Sequence, residues 1–274
     1  MIKKIQLELL ILLLLMISIF LTYKIDLSFN SFFQNINYGE NSTYLKKFFI
    51  GITNLGDSLW YFSIFLLIFL ISFVAQKIKL IPIEVFFYLR RLCLFSVSYL
   101  FLVGLATQII KHIIGRPRPN HSLLDGSFEF NFFTTDSAFH SFPSGHSSTI
   151  IAIIIIASLI IPSLRYFFYT CGFLIAISRV VVGAHFITDV VAGALLAILV
   201  YKVFDFLVNK HPYIYWKELK IHRISTLTKT IVVFLSLAIF VTVGPEIDIY
   251  ISGLFYYDNK QFLLQSYYFS SIFF

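Results

Sequence analysis

Long uncharged runs separated by short polar stretches set the rhythm of this chain. A hydrocarbon core takes about 20 apolar residues as α-helix. Seven runs approach that length: 5–23, 58–76, 92–110, 147–162, 166–183, 188–207 and 230–246. The fourth is short, so its helix is expected to begin in the polar threshold before it, FHSFPSGHSS at 139–148. Together the runs predict an all-α fold, a polytopic membrane helix bundle. The first run follows Lys3 and Lys4, as a signal peptide would. It exceeds the usual 7–15 apolar residues, however, and ends in LTYKID with no small-residue cleavage site, so it reads as an uncleaved helix.

Composition points the same way. The 274 residues are 58% hydrophobic and 13% charged, about half the charge of a soluble domain, and mean hydropathy is +0.86. That excludes a soluble fold. Cys93 and Cys171 both fall inside apolar runs, which argues against a structural disulfide, and nothing has zinc-ligand spacing. The aromatic residues, FEFNFF at 128–133 included, need no cofactor, because aromatic side chains gather at membrane interfaces.

The net charge of +7 suits nucleic acid, anionic lipid or cytoplasmic loops. Its distribution decides. With the N-terminus inside, thirteen of the 21 Lys and Arg lie on the inner side: Lys3, Lys4, Lys77, Lys79, Arg90, Arg91, Arg165, Lys202, Lys210, Lys217, Lys220, Arg223 and Lys229. The bias sets the N-terminus in and the C-terminus out, and explains most of the charge without nucleic acid. Four outer positives, Lys111, Arg116, Arg118 and Arg179, sit at or just beyond the ends of spans three and five. They share a side with PSGH. Ionisable residues at membrane depth are functional candidates by default.

Three motifs lie on that side. In KHIIGRPRP, 111–119, Pro117 and Pro119 push the preceding residues toward extended conformations. A helix end followed by an extended segment can aim Lys111 and Arg118 at one point. Alone, such a cluster also fits a headgroup contact or a topology signal. In SFPSGH, 141–146, the amides of Ser144, Gly145 and His146 are expected as unpaired donors at a helix start, where dipole and amides favour phosphate. An ordinary cap fits as well. In SRVVVGAHFITD, 178–189, His185 and Asp189 are four apart and would share a helix face. The pair suits either a structural hydrogen bond or a histidine nucleophile with its tautomer fixed. Arg179 needs an anionic partner, and Asp189 or a phosphate are the candidates. Taken together, the three clusters supply what phosphoryl transfer needs: cationic donors, an in-line nucleophile and an acid.

The set K-x6-RP, PSGH and SR-x5-H-x3-D, here Lys111–Pro119, Pro143–His146 and Ser178–Asp189, resembles the type-2 phosphatidic acid phosphatase superfamily in order and spacing. The resemblance covers roughly 50–207, and GITNLGDSLW at 51–60 looks like bacterial members. It implies that His185 attacks phosphorus and forms a phosphohistidine, that Asp189 orients it, and that His146 protonates the leaving oxygen and then activates water. Lys111, Arg118, Ser144, Gly145 and Arg179 would hold the phosphate, with no metal or other cofactor. Arg116 matches no family position and is expected as a headgroup or loop contact. His112, His121 and His140 are expected at the loop rim, and His211 and His222 inside, in solvent. Asn-x-Ser/Thr patterns at 41–43 and 120–122 mean little in the bacterial source that the resemblance implies.

The apolar runs and the resemblance together give a six-helix phosphatase core over 1–210, with its signature at 111–189, and a seventh C-terminal helix. Residues 211–274 would hold a cytoplasmic linker, that helix and an outer tail. KIDLSFNSFF at 24–33 and EIDIYISGLFYY at 246–257 are alike enough that 225–274 reads either as the start of a truncated second copy or as an ordinary helix with an amphipathic tail. The expected function is hydrolysis of a lipid phosphate monoester or diphosphate in the bacterial inner membrane, with the site on the periplasmic face. Phosphatidic acid, phosphatidylglycerophosphate, undecaprenyl diphosphate and lipid A phosphates all fit. The partners would be that lipid and the bilayer, with no obligatory protein. The alternatives are a lipid-to-lipid phosphotransferase, or a transporter or lipid-binding protein without chemistry. Soluble vanadium haloperoxidases share the cradle but not the hydropathy.

Ser122→Cys and Lys217→Cys are expected to differ toward an impermeant thiol reagent in intact cells, with position 122 reacting and 217 protected. Equal labelling overturns the orientation.

Overall fold

A computed structural model describes residues 42–119 and 129–210, the isolated positions Glu8, Leu10, Leu13, Ile17 and Asp26, and the pairs 256–257 and 261–262. Six α-helices carry the described chain: α1 Ser42–Thr53, α2 Ser58–Lys77, α3 Ile83–Ile114, α4 Gly145–Ile160, α5 Arg165–Val181 and α6 Ile187–Lys210. The remaining described secondary structure is short: 3-10 turns at Asn54–Gly56, Ser137–Phe139 and Pro162–Leu164, and an antiparallel pairing of Tyr256–Tyr257 with Gln261–Phe262. Apart from that two-residue pairing the described residues are helical, and their long apolar helices make the molecule an integral membrane protein.

Helices α2, α3 and α6, and the stretch Pro162–Val181 containing α5, are long and apolar enough to cross a bilayer. On α2 the side chains of Leu66, Leu67, Leu70, Ile71, Phe73 and Val74 all point outward. Such a surface suits lipid and would be unstable in water. Spans two, four, five and six of the sequence reading fall on α2, α4, α5 and α6. The third is longer than expected. Helix α3 runs 32 residues, about 48 Å at 1.5 Å per residue, and so extends past the hydrocarbon core. It begins after Pro82, whose extended backbone forms the N-cap, and its first turns carry Arg90 and Arg91, which hydropathy had assigned to a loop. Helix α1 was not expected, because STYLKKFFIGIT is too short and too basic to read as a span. Spans one and seven, the 211–274 segment and its repeat lie outside the described residues, except for Glu8, Leu10, Leu13, Ile17, Asp26 and the short strand pair. Cys93 and Cys171 are free thiols.

Helix α4 is apolar on every face, and that places it in the centre. It packs against α3, α5 and α6. On one side lies a cluster of Phe65, Cys93, Phe95, Tyr99, Val103, Ile156 and others; on the other, Ile150 and Ile154 meet Phe168, Ile175, Val180 and Val190. Lipid tails are as apolar as these side chains, so close packing rather than water exclusion joins the helices, and small residues sit where they meet. Ala152, Ala192 and Ala197 are fully buried. A Cβ on Gly172 would overlap the tip of Ile154, and one on Gly193 would overlap the Ser144 carbonyl. The buried Tyr99 hydroxyl donates to the Ala197 carbonyl at 2.7 Å, which ties α3 to α6.

At 16 residues α4 covers about 24 Å, less than the ~30 Å hydrocarbon core. Gly193→Ala is expected to lower thermal stability in detergent by about 1–3 kcal/mol, because the obstruction is backbone rather than a flexible side chain. Gly104→Ala, where a Cβ meets open space, is the control and should leave the melting temperature near wild type.

Candidate active site

The three motifs meet at the N-terminal ends of α4 and α6. Helix α3 ends at Gly115, whose left-handed backbone (φ 56°) donates its N–H to the Lys111 carbonyl. A Cβ at Gly115 would overlap the Asn131 backbone. This turn keeps Lys111 in the last helical turn and sends Arg116, Pro117 and Arg118 inward. The RPR segment is then lashed to the stretch before α4: Arg118 N–H donates to the Ala138 carbonyl at 2.9 Å, and Ser141 N–H to the Arg116 carbonyl at 3.0 Å.

Ser144 is the N-cap of α4. Its side chain accepts from the Ser147 amide and the Ser147 hydroxyl. Its own amide is not free, as the sequence had suggested; it donates to the Asp189 carbonyl at 2.9 Å. The amides of Gly145 and His146 remain at the open end of the helix, beyond reach of its own carbonyls. Gly145 matters for closeness, since a Cβ there would stand 3.6 Å from the Lys111 ammonium. Below it a hydroxyl chain stiffens the turn: Ser148 donates to the Gly145 carbonyl at 2.9 Å and lies 3.1 Å from Thr107 Oγ1.

His185 and Asp189 do not share a helix face. Helix α6 starts at Ile187, so His185 belongs to the loop after α5, and the two are brought together by a cap. With Phe186 at the N-cap, Asp189 is the third helical residue, and its Oδ2 accepts from the Phe186 amide at 2.9 Å. That is the acidic half of a capping box. Asp189 Oδ2 lies 3.8 Å from His185 Nδ1, too long for a hydrogen bond. The carboxylate is instead held by the Ser141 hydroxyl at 2.5 Å and by Arg116 Nη1 at 2.5 Å.

Arg116 is therefore no headgroup contact. It is 1% exposed, bridges Asp189 and Asp26 at 2.5 Å each, donates to the Thr188 hydroxyl at 2.8 Å, and lies over the Phe186 ring at 4.7 Å. A basic residue in a loop motif looks solvated in sequence. Its partner Asp26 stands ninety positions earlier, and no local pattern could announce it. His140 is also buried rather than at a rim; its Nε2 donates to the Thr134 carbonyl at 3.0 Å, and its ring lies 4.4 Å from that of His112.

Among the described residues, Lys111, Arg118 and Arg179 form no ion pair. Arg118 Nε donates to the Ser137 carbonyl at 3.1 Å. Arg179 Nη1 donates to Thr53 Oγ1 at 2.8 Å, while its buried Nε has no partner. Asp189, the anionic partner considered for Arg179, is bound to Arg116 instead. All three cations lie within electrostatic reach of both His185 and His146. Burial first, then Arg179, Arg118 and Lys111, holds the His185 imidazole well below the usual 6.5. The ring is thus neutral, the form in which a nitrogen lone pair can attack.

The GITNLGDSLW stretch supplies the floor. Thr53 holds Arg179, and a Cβ on Gly56 would lie 2.8 Å from His146, so only glycine lets this turn pass beneath that ring. The Asp57 side chain caps α2 through the Leu59 amide at 2.9 Å. The sequence marked the stretch but gave neither Thr53 nor Gly56 a role.

The PAP2 superfamily sequence model matches residues 91–212. Those residues form a PAP2 superfamily domain. Within curated proteins, a lipid A 1-phosphatase of Rhizobium etli is 35% identical over 151 residues, 52% of this chain and 62% of the relative. A lipid A 1-phosphatase of Rhizobium johnstonii is 43% identical over 100 residues, 35% of this chain and 41% of the relative. The chain thus spans less than two thirds of the length of the relatives it matches. A crystal structure titled as the first transmembrane PAP2 type phosphatidylglycerolphosphate phosphatase, from Bacillus subtilis, aligns with a TM-score of 0.51 at 24% identity, covering 76% of this chain and 96% of that one. At that identity it supports the PAP2 fold alone. Thr53, Gly56 and Asp26 all lie N-terminal to the matched PAP2 domain and still touch its site.

Histidine-labelled protein in detergent, with the His185 resonance assigned by loss in His185→Gln, should show a neutral His185 ring at pH 6.5 without phosphate. A ring half-charged at or above 6.5 contradicts the effect of burial and the three cations.

Proposed function

We propose that this chain is a metal-independent lipid phosphatase of the membrane, with a lipid A-type phosphate as its first candidate substrate. One observation carries the reading. Three cations with no anionic partner among the described residues, together with the open amide end of α4, surround a buried, neutral histidine beside a fixed carboxylate. That is a receptor for phosphate with a nucleophile built into it.

In the proposed cycle, Lys111, Arg118, Arg179 and the amides of Gly145 and His146 bind the phosphate oxygens, with Ser144 shaping the cradle. Because Nδ1 of His185 faces Asp189, Nε2 attacks phosphorus. The N–P bond forms as the bond to the lipid oxygen breaks, and that oxygen takes its electron pair and a proton from His146. A phosphate dianion in the cradle offsets the surrounding cations and favours the protonated form of His146. The Asp189–His185 separation of 3.8 Å closes as positive charge develops on the ring, since catalytic hydrogen bonds often tighten only in the substrate complex. His146, now neutral, takes a proton from water. The hydroxide attacks phosphorus, the N–P bond breaks, and phosphate leaves with His185 neutral again. Fixed cations and amides carry the developing charge throughout.

The choice of lipid A-type phosphate follows the two Rhizobium relatives, whose names carry that activity. Phosphatidic acid, phosphatidylglycerophosphate and undecaprenyl diphosphate are the competing substrates. The placement of the cradle at the ends of membrane-length helices supports a lipid substrate, since a headgroup can reach it with the chains still in the bilayer. We place the site on the periplasmic face of a bacterial inner membrane, from the charge bias, and assign the catalytic unit to residues 1–210.

A panel of these four lipids and a water-soluble phosphate ester, given to purified protein in detergent, tests the reading. Phosphate release from lipid A 1-phosphate should be fastest, should survive chelation and should be inhibited by orthovanadate. His185→Ala should lower kcat at least about 1,000-fold. Faster turnover of the soluble ester overturns sideways lipid entry. Activity lost on chelation and restored by one divalent ion overturns the mechanism.

A further inference from the structure

Helix α6 has no N-cap side chain of its own, because the residue at that position is Phe186. A carboxylate from far away in sequence fills the gap. Asp26 Oδ1 accepts from the Thr188 amide at 3.0 Å, the hydrogen bond an N-cap Asp normally makes with the second helical residue. Its Oδ2 accepts from the Thr188 hydroxyl and from Arg116 Nη2, the latter at 2.5 Å. Asp26 is 1% exposed and Asp189 fully buried. We propose that Asp26 and Arg116 form a positioning clamp for the His185–Asp189 pair, so that the catalytic unit is incomplete without a residue outside the PAP2 domain. Neither residue is catalytic, since each acts through α6 and Asp189.

The geometry gives the clamp two functions. By capping Thr188, Asp26 fixes where α6 begins and hence where the third helical residue, Asp189, stands. By neutralising part of Arg116, it lets one guanidinium serve two carboxylates: Nη2 on Asp26 and Nη1 on Asp189. Without Asp26, the pull of Arg116 on Asp189 would rise, and a buried guanidinium would lose one of its charged partners, a costly state. A second tether lies further along α6, where Lys202 Nζ meets Glu8 Oε2 at 2.9 Å. Residues 8 and 26 therefore both contact the same helix.

The clamp rests on the phosphatase reading for its catalytic consequence, but its structural half can be measured independently. Full-length Asp26→Ala and Asp26→Asn are compared with wild type in detergent for lipid phosphatase kinetics, orthovanadate inhibition, and amide hydrogen exchange across 182–189. The alanine variant should lose about 10- to 100-fold in kcat, the scale of a small misplacement of reacting groups. KM and orthovanadate inhibition should change less than about threefold, because the cradle cations do not touch Asp26. Exchange at the Thr188 amide should rise at least about fivefold, as a lost N-cap requires. The asparagine variant keeps an acceptor for that amide, so it should recover most of the exchange protection and part of kcat.

Wild-type kcat and unchanged exchange in Asp26→Ala overturn the clamp while leaving the phosphatase reading intact. Loss of vanadate inhibition alongside kcat points to general collapse and also overturns it; if the alanine variant does not fold, the asparagine variant decides by the same measures. If wild type hydrolyses no lipid while His185 remains neutral, the phosphatase reading has failed, and the exchange data judge the clamp alone.

Discussion

Asp189 is the point on which the site hangs. Its carboxylate receives the Arg116 guanidinium from the segment after α3, the Ser141 hydroxyl from the segment before α4, and the Phe186 amide from the start of α6. Its carbonyl receives the Ser144 amide at the mouth of α4. One residue thus collects all three motifs, and it does so with no exposed surface. A buried carboxylate is tolerable only when paired and hydrogen-bonded. The same requirement that makes Asp189 expensive therefore makes its surroundings specific: if any of these donors is withdrawn, a charge is left unmet inside the protein.

That constraint also sorts the cations. Arg116 is taken up by two carboxylates, so its charge is balanced within the fold. Lys111, Arg118 and Arg179 have no such partner among the described residues. Their hydrogen bonds go to neutral oxygens or to none: Arg118 to the Ser137 carbonyl and Arg179 to Thr53. Like charges held together repel, and burial adds to the cost. A fold keeps such an arrangement when something else supplies the anion. The helix N-terminus of α4 adds to the same field without a formal charge. The division is clean: one arginine is paired within the fold, and the other three cations are those proposed to face the phosphate.

Much of this was legible in the sequence, and what was not has physical causes. Hydropathy located α2, α4, α5 and α6, because a helix in lipid must be apolar over most of its length. It misjudged α3, because a helix that continues beyond the hydrocarbon into the polar zone carries Arg90 and Arg91 in its early turns and looks like a loop. Motif spacing found Lys111, Arg118, Ser144, Gly145, His146, Arg179, His185 and Asp189, and the structure brings them to the same two helix ends. It misread how His185 and Asp189 meet. Four residues apart suggests one helix face, whereas the pair straddles a helix start and is joined by a cap. Arg116 was misassigned because its meaning depends on Asp26, and separations of that size leave no periodic trace. Gly56 and Gly193 were silent for a related reason: the space a glycine gives up is visible only when His146 or the Ser144 carbonyl is seen to occupy it.

The position of the site ties these features to the membrane. The cations gather where α3, α4, α5 and α6 end or begin, at one end of a bundle of membrane-length helices. Burial takes these groups out of water, and in the proposed reaction each fixed cation and amide then acts more strongly on a phosphate than it would in solvent. Burial also makes the cations costly, and the groups that carry them are held from behind. That rigidity is visible in the cap on α6, the Tyr99 bond between α3 and α6, the hydroxyl chain beneath Gly145, and the Thr53 contact to Arg179. Preorganisation of this kind lowers the reorganisation needed when charge develops on phosphorus. The polar apparatus also extends outside the PAP2 domain: the matched segment carries the groups proposed to face the phosphate, while Asp26, Thr53 and Gly56 pack against those groups or their supports.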